Sequence, residues 1–134
     1  MNALEITPQS DEVTCLNAGH LPALVVDTRG NTRQFAGALD LPLGIQPDPI
    51  RCQRERLERG DLVALYTDGL SEMRASPDDL LGIERLGSEL VSICNRTAVE
   101  PIARAAYHME QLMRQATTAP LAQDDRTFLL ARRR

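Results

Sequence analysis

The sequence predicts an α+β domain: mostly antiparallel strands, then two C-terminal helices and a closing strand. Over the first two thirds of the chain, short apolar or alternating segments are separated by turn-forming residues, a pattern typical of strands joined by hairpins. The last third changes to an apolar residue every three or four positions, which is the spacing of one helix face. With 134 residues, the chain is long enough for one domain and too short for two.

The strand segments differ in character. Segments 4–7 and 13–17 alternate and are expected to form a hairpin, as are 24–26 and 32–35. Segment 50–57 is polar and predicts an edge strand, 62–67 is the most apolar strand, and 127–131 closes the sheet. Residues 36–49 contain several Pro and Gly and predict a loop, in which the apolar side chains are expected to be buried: Leu39, Leu41, Leu43 and Ile45.

Two helix faces follow in the last third. The first consists of Ile83, Leu86, Leu90 and Ile93, and the second of Val99, Ile102, Ala106, Met109 and Met113. Thr97 and Glu100 have the spacing of a capping box before the second helix. Pro101 would lie in its first turn, where proline costs least.

Composition narrows the class of protein. The net charge is −4, and only 3% of residues are aromatic, which argues against nucleic-acid binding. No apolar run is long enough to span a membrane, and the N-terminus shows no secretory signal, so a cytoplasmic location is expected. Cys15, Cys52 and Cys94 form no metal-binding pair and are expected to be buried, reduced thiols.

Carboxylates at strand ends are the candidate functional groups. Asp68 follows strand 62–67, and Asp124 and Asp125 precede strand 127–131. Two such carboxylates at one rim of a sheet would repel unless a cation lay between them, and a hard divalent cation such as Mg²⁺ suits oxygen ligands. The alternative is that Asp68 belongs to a turn or helix cap and that the acidic pair is a solvated turn.

The histidines and the common catalytic motifs give weaker evidence of a functional site than the carboxylates do. His20, in "NAGH", is more typical of a hydrogen-bonded packing residue than of a base or metal ligand, and His108 lies beside core positions of the second helix. The sequence contains no Gly-x-Ser-x-Gly, phosphate-binding loop or dinucleotide fingerprint.

Taken in order, "NAGHLPALVV", "LPLGI", "LERGDLVALYTDGLSEMRA", "GIERL" and "DDRTFLLA" resemble the C-terminal half of the SpoIIE branch of the metal-dependent protein phosphatases (PPM, or protein phosphatase 2C-like, family). The resemblance implies part of an α-β-β-α sandwich with two Mn²⁺ or Mg²⁺ ions at one end. It implies a signalling hydrolase, a protein serine/threonine phosphatase. Its substrate would be a phosphorylated regulatory protein, such as an anti-sigma-factor antagonist.

By this resemblance, Asp68 and Asp124 match the family's metal ligands, and Asp125 takes a more variable place. The family's upstream Asp-x-x-Gly-His-Gly motif is missing, so residues 1–134 are expected to be the C-terminal portion of a phosphatase domain. The alternative function is a non-catalytic half-domain that binds a protein, or an inert fragment. Either way, a sheet lacking its other half is expected to self-associate or to bind a complementing N-terminal half.

Overall fold

The structure is a computed structural model that describes residues 1–7, 10–35, 39–45, 51–76, 79–115 and 125–134. The described strands are β1 (Asn2–Ile6), β2 (Glu12–Ala18), β3 (Leu24–Val26), β4 (Thr32–Gln34), β5 (Leu39–Asp40), β6 (Cys52–Arg56), β7 (Leu62–Tyr66), β8 (Arg74–Ser76), β9 (Asp79–Leu80) and β10 (Phe128–Arg132). The described helices are α1 (Asp68–Ser71), α2 (Gly82–Arg96) and α3 (Ile102–Gln115). The predicted α+β class is confirmed.

Two sheets form the centre of the molecule. In the first sheet, β2 pairs with β1 on one side and with both β5 and β6 on the other. The second sheet has the order β10-β7-β3-β4, and every pair in it is antiparallel. Both predicted hairpins, β1 with β2 and β3 with β4, are confirmed.

The second sheet is buried on both faces because strand side chains alternate. On one face, Leu24, Leu62 and Ala64 pack in a cluster with the apolar sides of α2 and α3. On the other face, Val25 and Val63 pack against the first sheet. The described residues therefore form three layers, helix on sheet on sheet.

This layering explains why β7 is continuously apolar. Leu62, Val63, Ala64 and Tyr66 are each at most 4% exposed, and burying a side chain of this size stabilises the fold by about 1.5–3 kcal/mol. The buried strand thus fixes the position of the residues that follow it, Thr67 and Asp68.

The predicted burial of the loop side chains is wrong where the structure describes them. Leu41, Leu43 and Ile45 are half or more exposed, and the side chain of Leu39 lies outside the described residues. The described layers do not cover this loop, which is held by Asp40: the Arg51 guanidinium and backbone N–H both donate to the Asp40 carboxylate. The same hydrogen bonds lower the pKa of Asp40.

The predicted capping box is also wrong. Thr97 ends α2, where its N–H and its hydroxyl both donate to the Ile93 carbonyl. The Glu100 N–H donates to the Thr97 carbonyl, 3.0 Å away, and not to the hydroxyl. The chain turns before α3 begins at Ile102, so Val99 lies in the turn, 99% exposed, and not on the helix face.

The cysteine prediction holds in part. Cys15, Cys52 and Cys94 are all free thiols, and Cys15 and Cys94 are buried. Cys52 is exposed because it begins β6 at the side of the first sheet, where it pairs with Leu16. No helix in the described ranges has both the length and the apolar character needed to cross a membrane.

Candidate metal centre

The end of β7 and the start of β10 form one rim of the second sheet. The two strands are antiparallel, with Phe128 opposite Tyr66, so the residues after Tyr66 lie beside those before Phe128. The Thr67 N–H donates to the Thr127 carbonyl at 3.0 Å, and the Thr67 hydroxyl accepts from the Thr127 N–H at 3.0 Å. The same hydroxyl lies 2.8 Å from the Asp125 carbonyl, to which it donates. Thr67 thus joins Asp125 and Thr127 to the end of β7, immediately before Asp68.

Asp68 is an exposed carboxylate on a buried support. It is the first residue of α1, and the three residues after it, Gly69, Leu70 and Ser71, are buried. The Gly69 N–H donates to Asp68 Oδ1 at 3.0 Å, and the Ser71 hydroxyl donates to the Asp68 carbonyl at 3.0 Å. The helix N-cap is Thr67, without a side-chain cap bond. Asp68 therefore takes part in a local turn and still presents its carboxylate to solvent.

The acidic pair is described only in part. Asp125 is exposed, whereas Asp124 lies outside the described residues. Carboxylate oxygens are the ligands that Mg²⁺ and similar hard cations prefer, so the donor chemistry at this rim fits Mn²⁺ or Mg²⁺. The described parts of the chain, which leave out Asp124, contain no group of three His, Cys, Asp or Glu side chains able to hold a metal.

Behind the rim, Tyr66 faces the helices in the core. It is 4% exposed, and no residue that the structure describes hydrogen-bonds its hydroxyl. Burial raises the pKa of Tyr66 to about 12. The strand therefore ends with the neutral side chain of Tyr66 in the core, whereas the charged side chain of Asp68, two positions later, is exposed to solvent.

The "NAGH" segment forms a packed corner between β2 and β3. Asn17 is 1% exposed, and its amide bonds both the N–H and the carbonyl of His20 at 2.9 Å. The His20 ring Nδ1 lies 3.2 Å from the Leu21 carbonyl, in keeping with the hydrogen-bonded packing role expected for it. Since Leu24 lies opposite Ala64 in the antiparallel β3–β7 pair, this corner extends towards the end of β7 that carries Asp68.

Sequence reasoning missed Thr67. Its place at the end of an apolar strand suggested an ordinary strand residue, and nothing local to the "YTDG" segment shows that its hydroxyl reaches a segment some 60 positions later. The only signal available was the expectation that the two acidic segments share a rim.

The family model of Stage II sporulation protein E (SpoIIE) matches residues 1–134. The chain therefore belongs to the SpoIIE family, and the resemblance found in its sequence is confirmed. No curated protein matches the chain.

Solved structures agree with this fold. The RsbU and RsbW domains of a Mycobacterium tuberculosis protein share 30% identity with this chain at a TM-score of 0.71, over 93% of this chain and 33% of that one. The phosphatase domain of the cell fate determinant SpoIIE from Bacillus subtilis, presoaked with Mn, shares 18% at a TM-score of 0.70, over 99% and 56%. The serine/threonine phosphatase PstP/Ppp of Mycobacterium tuberculosis shares 13% at a TM-score of 0.66, over 98% and 58%.

The chain thus spans between a third and three fifths of the structures it matches. Its family is SpoIIE, and its fold is that of the solved phosphatase domains.

Proposed function

We propose that this chain is the C-terminal portion of a metal-dependent protein serine/threonine phosphatase domain, in which Asp68 and Asp124 bind the metal. One observation supports the proposal: the Thr67 hydroxyl donates to the Asp125 carbonyl at 2.8 Å, which holds Asp125 beside the strand end that carries Asp68. Asp124 is the residue next to this contact. Asp125 is the less favoured ligand of the pair.

The metal is Mn²⁺ or Mg²⁺, with two ions in the complete family site. Such a two-metal site supplies a water activated near neutral pH and stabilises charge on the attacking and leaving oxygens. The residues of this chain contribute position and charge: α1 holds the Asp68 carboxylate at the rim, and Thr67 keeps the neighbouring strand in register. The remaining ligands would come from the N-terminal portion of the domain.

The substrate class follows from the family. SpoIIE-type phosphatases act on phosphoserine or phosphothreonine of a regulatory protein, such as an anti-sigma-factor antagonist, and we extend this activity to the domain that contains the present chain. We further propose that this domain acts in cytoplasmic signalling; the chain is 30% identical to a protein solved as RsbU and RsbW domains.

A second function is favoured by the incomplete ligand set. Because the family's upstream Asp-x-x-Gly-His-Gly motif is missing from the sequence, the chain by itself would be a non-catalytic half-domain that binds a protein partner. The two proposals differ in whether Mn²⁺-dependent turnover appears when the N-terminal portion is supplied.

The test compares the chain alone with the chain fused behind the N-terminal portion of a related SpoIIE-type phosphatase domain. We expect only trace hydrolysis of a phosphoserine protein by the chain alone, since a metal held by too few carboxylates is weakly bound. The fusion should show Mn²⁺-dependent hydrolysis, and Asp68→Asn or Asp124→Asn should abolish it because each removes a charge that the metal needs.

Glu110→Gln is the matched control for this test. It removes an exposed carboxylate on α3 whose ion-pair partner among the described residues is Arg114 on the same helix, and activity should be unchanged. Full activity of the chain alone, or a fusion that tolerates both aspartate substitutions, would disprove the metal-site proposal. A folded fusion without any turnover would favour the binding-module function.

A further inference from the structure

A basin rich in arginine lies at the opposite end of β7 from Asp68. Three segments surround a cavity of about 500 Å³: the turn between β6 and β7, the turn between α2 and α3, and the end of β10. We call it the arginine basin, after the four arginines that line it: Arg59, Arg132, Arg133 and Arg134.

Hydrogen bonds hold the three segments together. The Gly60 N–H donates to the Arg133 carbonyl at 2.8 Å, and the Arg133 N–H donates to the Asp61 carbonyl at 3.0 Å. From the other side, the Arg132 guanidinium donates to the carbonyl and the hydroxyl of Thr97 at 2.5 and 2.8 Å. The basin therefore has a fixed frame built from the strand end and both turns.

The charge of the basin is opposite to that of the chain. Four guanidinium side chains line it against one carboxylate side chain, Glu100, which pairs with Arg104 at 3.2 Å. The α-carboxylate of Arg134 and the Asp11 carboxylate, which pairs with Arg133, offset part of this positive charge. The chain as a whole has a net charge of −4. Positive charge is therefore concentrated here and is not a general property of the surface, and such a concentration attracts anionic partners.

The four arginines divide into two that are engaged and two that are available. Arg132 is bound to Thr97, and Arg133 donates to the Leu57 carbonyl and pairs with Asp11. Arg59 and Arg134 are exposed, and no described residue is recorded as their partner. Their guanidinium donors are free for a ligand, and guanidinium groups bind carboxylates strongly and with defined geometry.

The basin also has an apolar side. Val99, Ala98 and Pro101 line the α2–α3 turn, and Val99 is 99% exposed. A cavity of this size, with free guanidinium groups beside an exposed valine, matches an extended acidic segment better than one small anion. We propose that the arginine basin docks an acidic, carboxylate-rich segment of a partner protein.

This docking would be separate from chemistry at the metal centre. The basin lies beside Leu62 and the candidate metal ligand is Asp68, so the two are about 20 Å apart at roughly 3.4 Å per strand residue. The proposal does not rest on phosphatase activity, because binding is measured without metal or turnover.

The test measures binding of a fluorescein-labelled octaglutamate peptide to the full chain by fluorescence anisotropy at low ionic strength. We expect saturable binding that weakens as salt is added. The double variant Arg59→Glu/Arg134→Glu should weaken it about tenfold or more, since it reverses both free charges.

The matched control is Arg29→Glu/Arg54→Glu. Both side chains are exposed and lie outside the basin, and the total change in charge is the same. If the control variant weakens binding as much as the basin variant does, binding depends only on the net charge of the chain and the proposal is wrong. The proposal is also wrong if labelled octaglutamine binds as tightly as octaglutamate, or if the unmodified chain does not bind octaglutamate. It is wrong as well if inorganic phosphate displaces the labelled peptide at the same concentration as unlabelled octaglutamate does.

Discussion

Gly19 joins the loop after β2 to the loop after β5. Its φ is +65°, in the left-handed region, and its N–H donates to the Asp40 carbonyl at 2.7 Å. A Cβ at this position would lie 2.4 Å from Cγ of Pro42, which is far inside van der Waals contact. Only glycine satisfies both the backbone conformation and this close approach.

Gly19→Ala should therefore destabilise the chain strongly. The left-handed conformation costs a residue with Cβ about 1–2 kcal/mol, and the contact with Pro42 adds to that cost. Gly44→Ala is the matched control: its φ is +88°, but no described residue lies within 4 Å of the added Cβ, so we expect the conformational cost alone. Unfolding in urea should give a clearly larger loss of stability for Gly19→Ala than for Gly44→Ala. Equal losses would show that Pro42 moves away from the added Cβ at little cost.

At the scale of elements, the α2–α3 turn depends on Thr97. This residue is fully buried, its hydroxyl donates to the Ile93 carbonyl at 2.8 Å, and it accepts from Arg132 at 2.8 Å. It ends one helix and ties that end to the edge strand β10. Sequence spacing indicated a helix start at this position because a capping box and a hydrogen-bonded helix end use the same residue types.

Thr97→Val should lower the free energy of unfolding by about 1–3 kcal/mol, because it leaves the Arg132 donor without its acceptor at a buried position. Thr97→Ser keeps the hydroxyl and is the control, with a smaller expected loss. Thermal or urea unfolding of both variants checks the prediction. A valine variant as stable as the serine variant would show that the hydroxyl does not link the turn to β10.

Elements with strong periodicity were predictable, and those set by partners distant in sequence were not. The apolar spacing of Leu86, Leu90 and Ile93 predicts α2, which buries all three. The short pairing of β5 with β2, by contrast, involves only Leu39 and Asp40 and has no local signal. For the same reason, the exposed position of Asp68 followed from its strand, but the hydrogen bond between its neighbour Thr67 and Asp125 did not.

At the scale of the whole molecule, both sheets have a described edge strand on the same side. β1 ends the first sheet and β10 ends the second among the strands that the structure describes. A cleft of about 340 Å³ lies between the sheets at this side, lined in part by Ile6, Val13, Val63 and Ala131. Ile6 and Leu129, one on each open strand, are about half exposed. Unpaired edge strands with apolar side chains are templates for pairing with another chain.

We therefore expect the isolated chain to self-associate through β10. Leu129→Lys should shift it towards the monomer, because a lysine on an edge strand disfavours pairing between sheets. Leu41→Lys is the matched control: it makes the same change at a similarly exposed leucine, 50% against 55%, in a loop and not on an open edge. Sedimentation velocity over a range of concentrations should show association for the unmodified chain and the control and much less for Leu129→Lys. A stable monomer at high concentration, or equal effects of the two lysines, would contradict association through this edge.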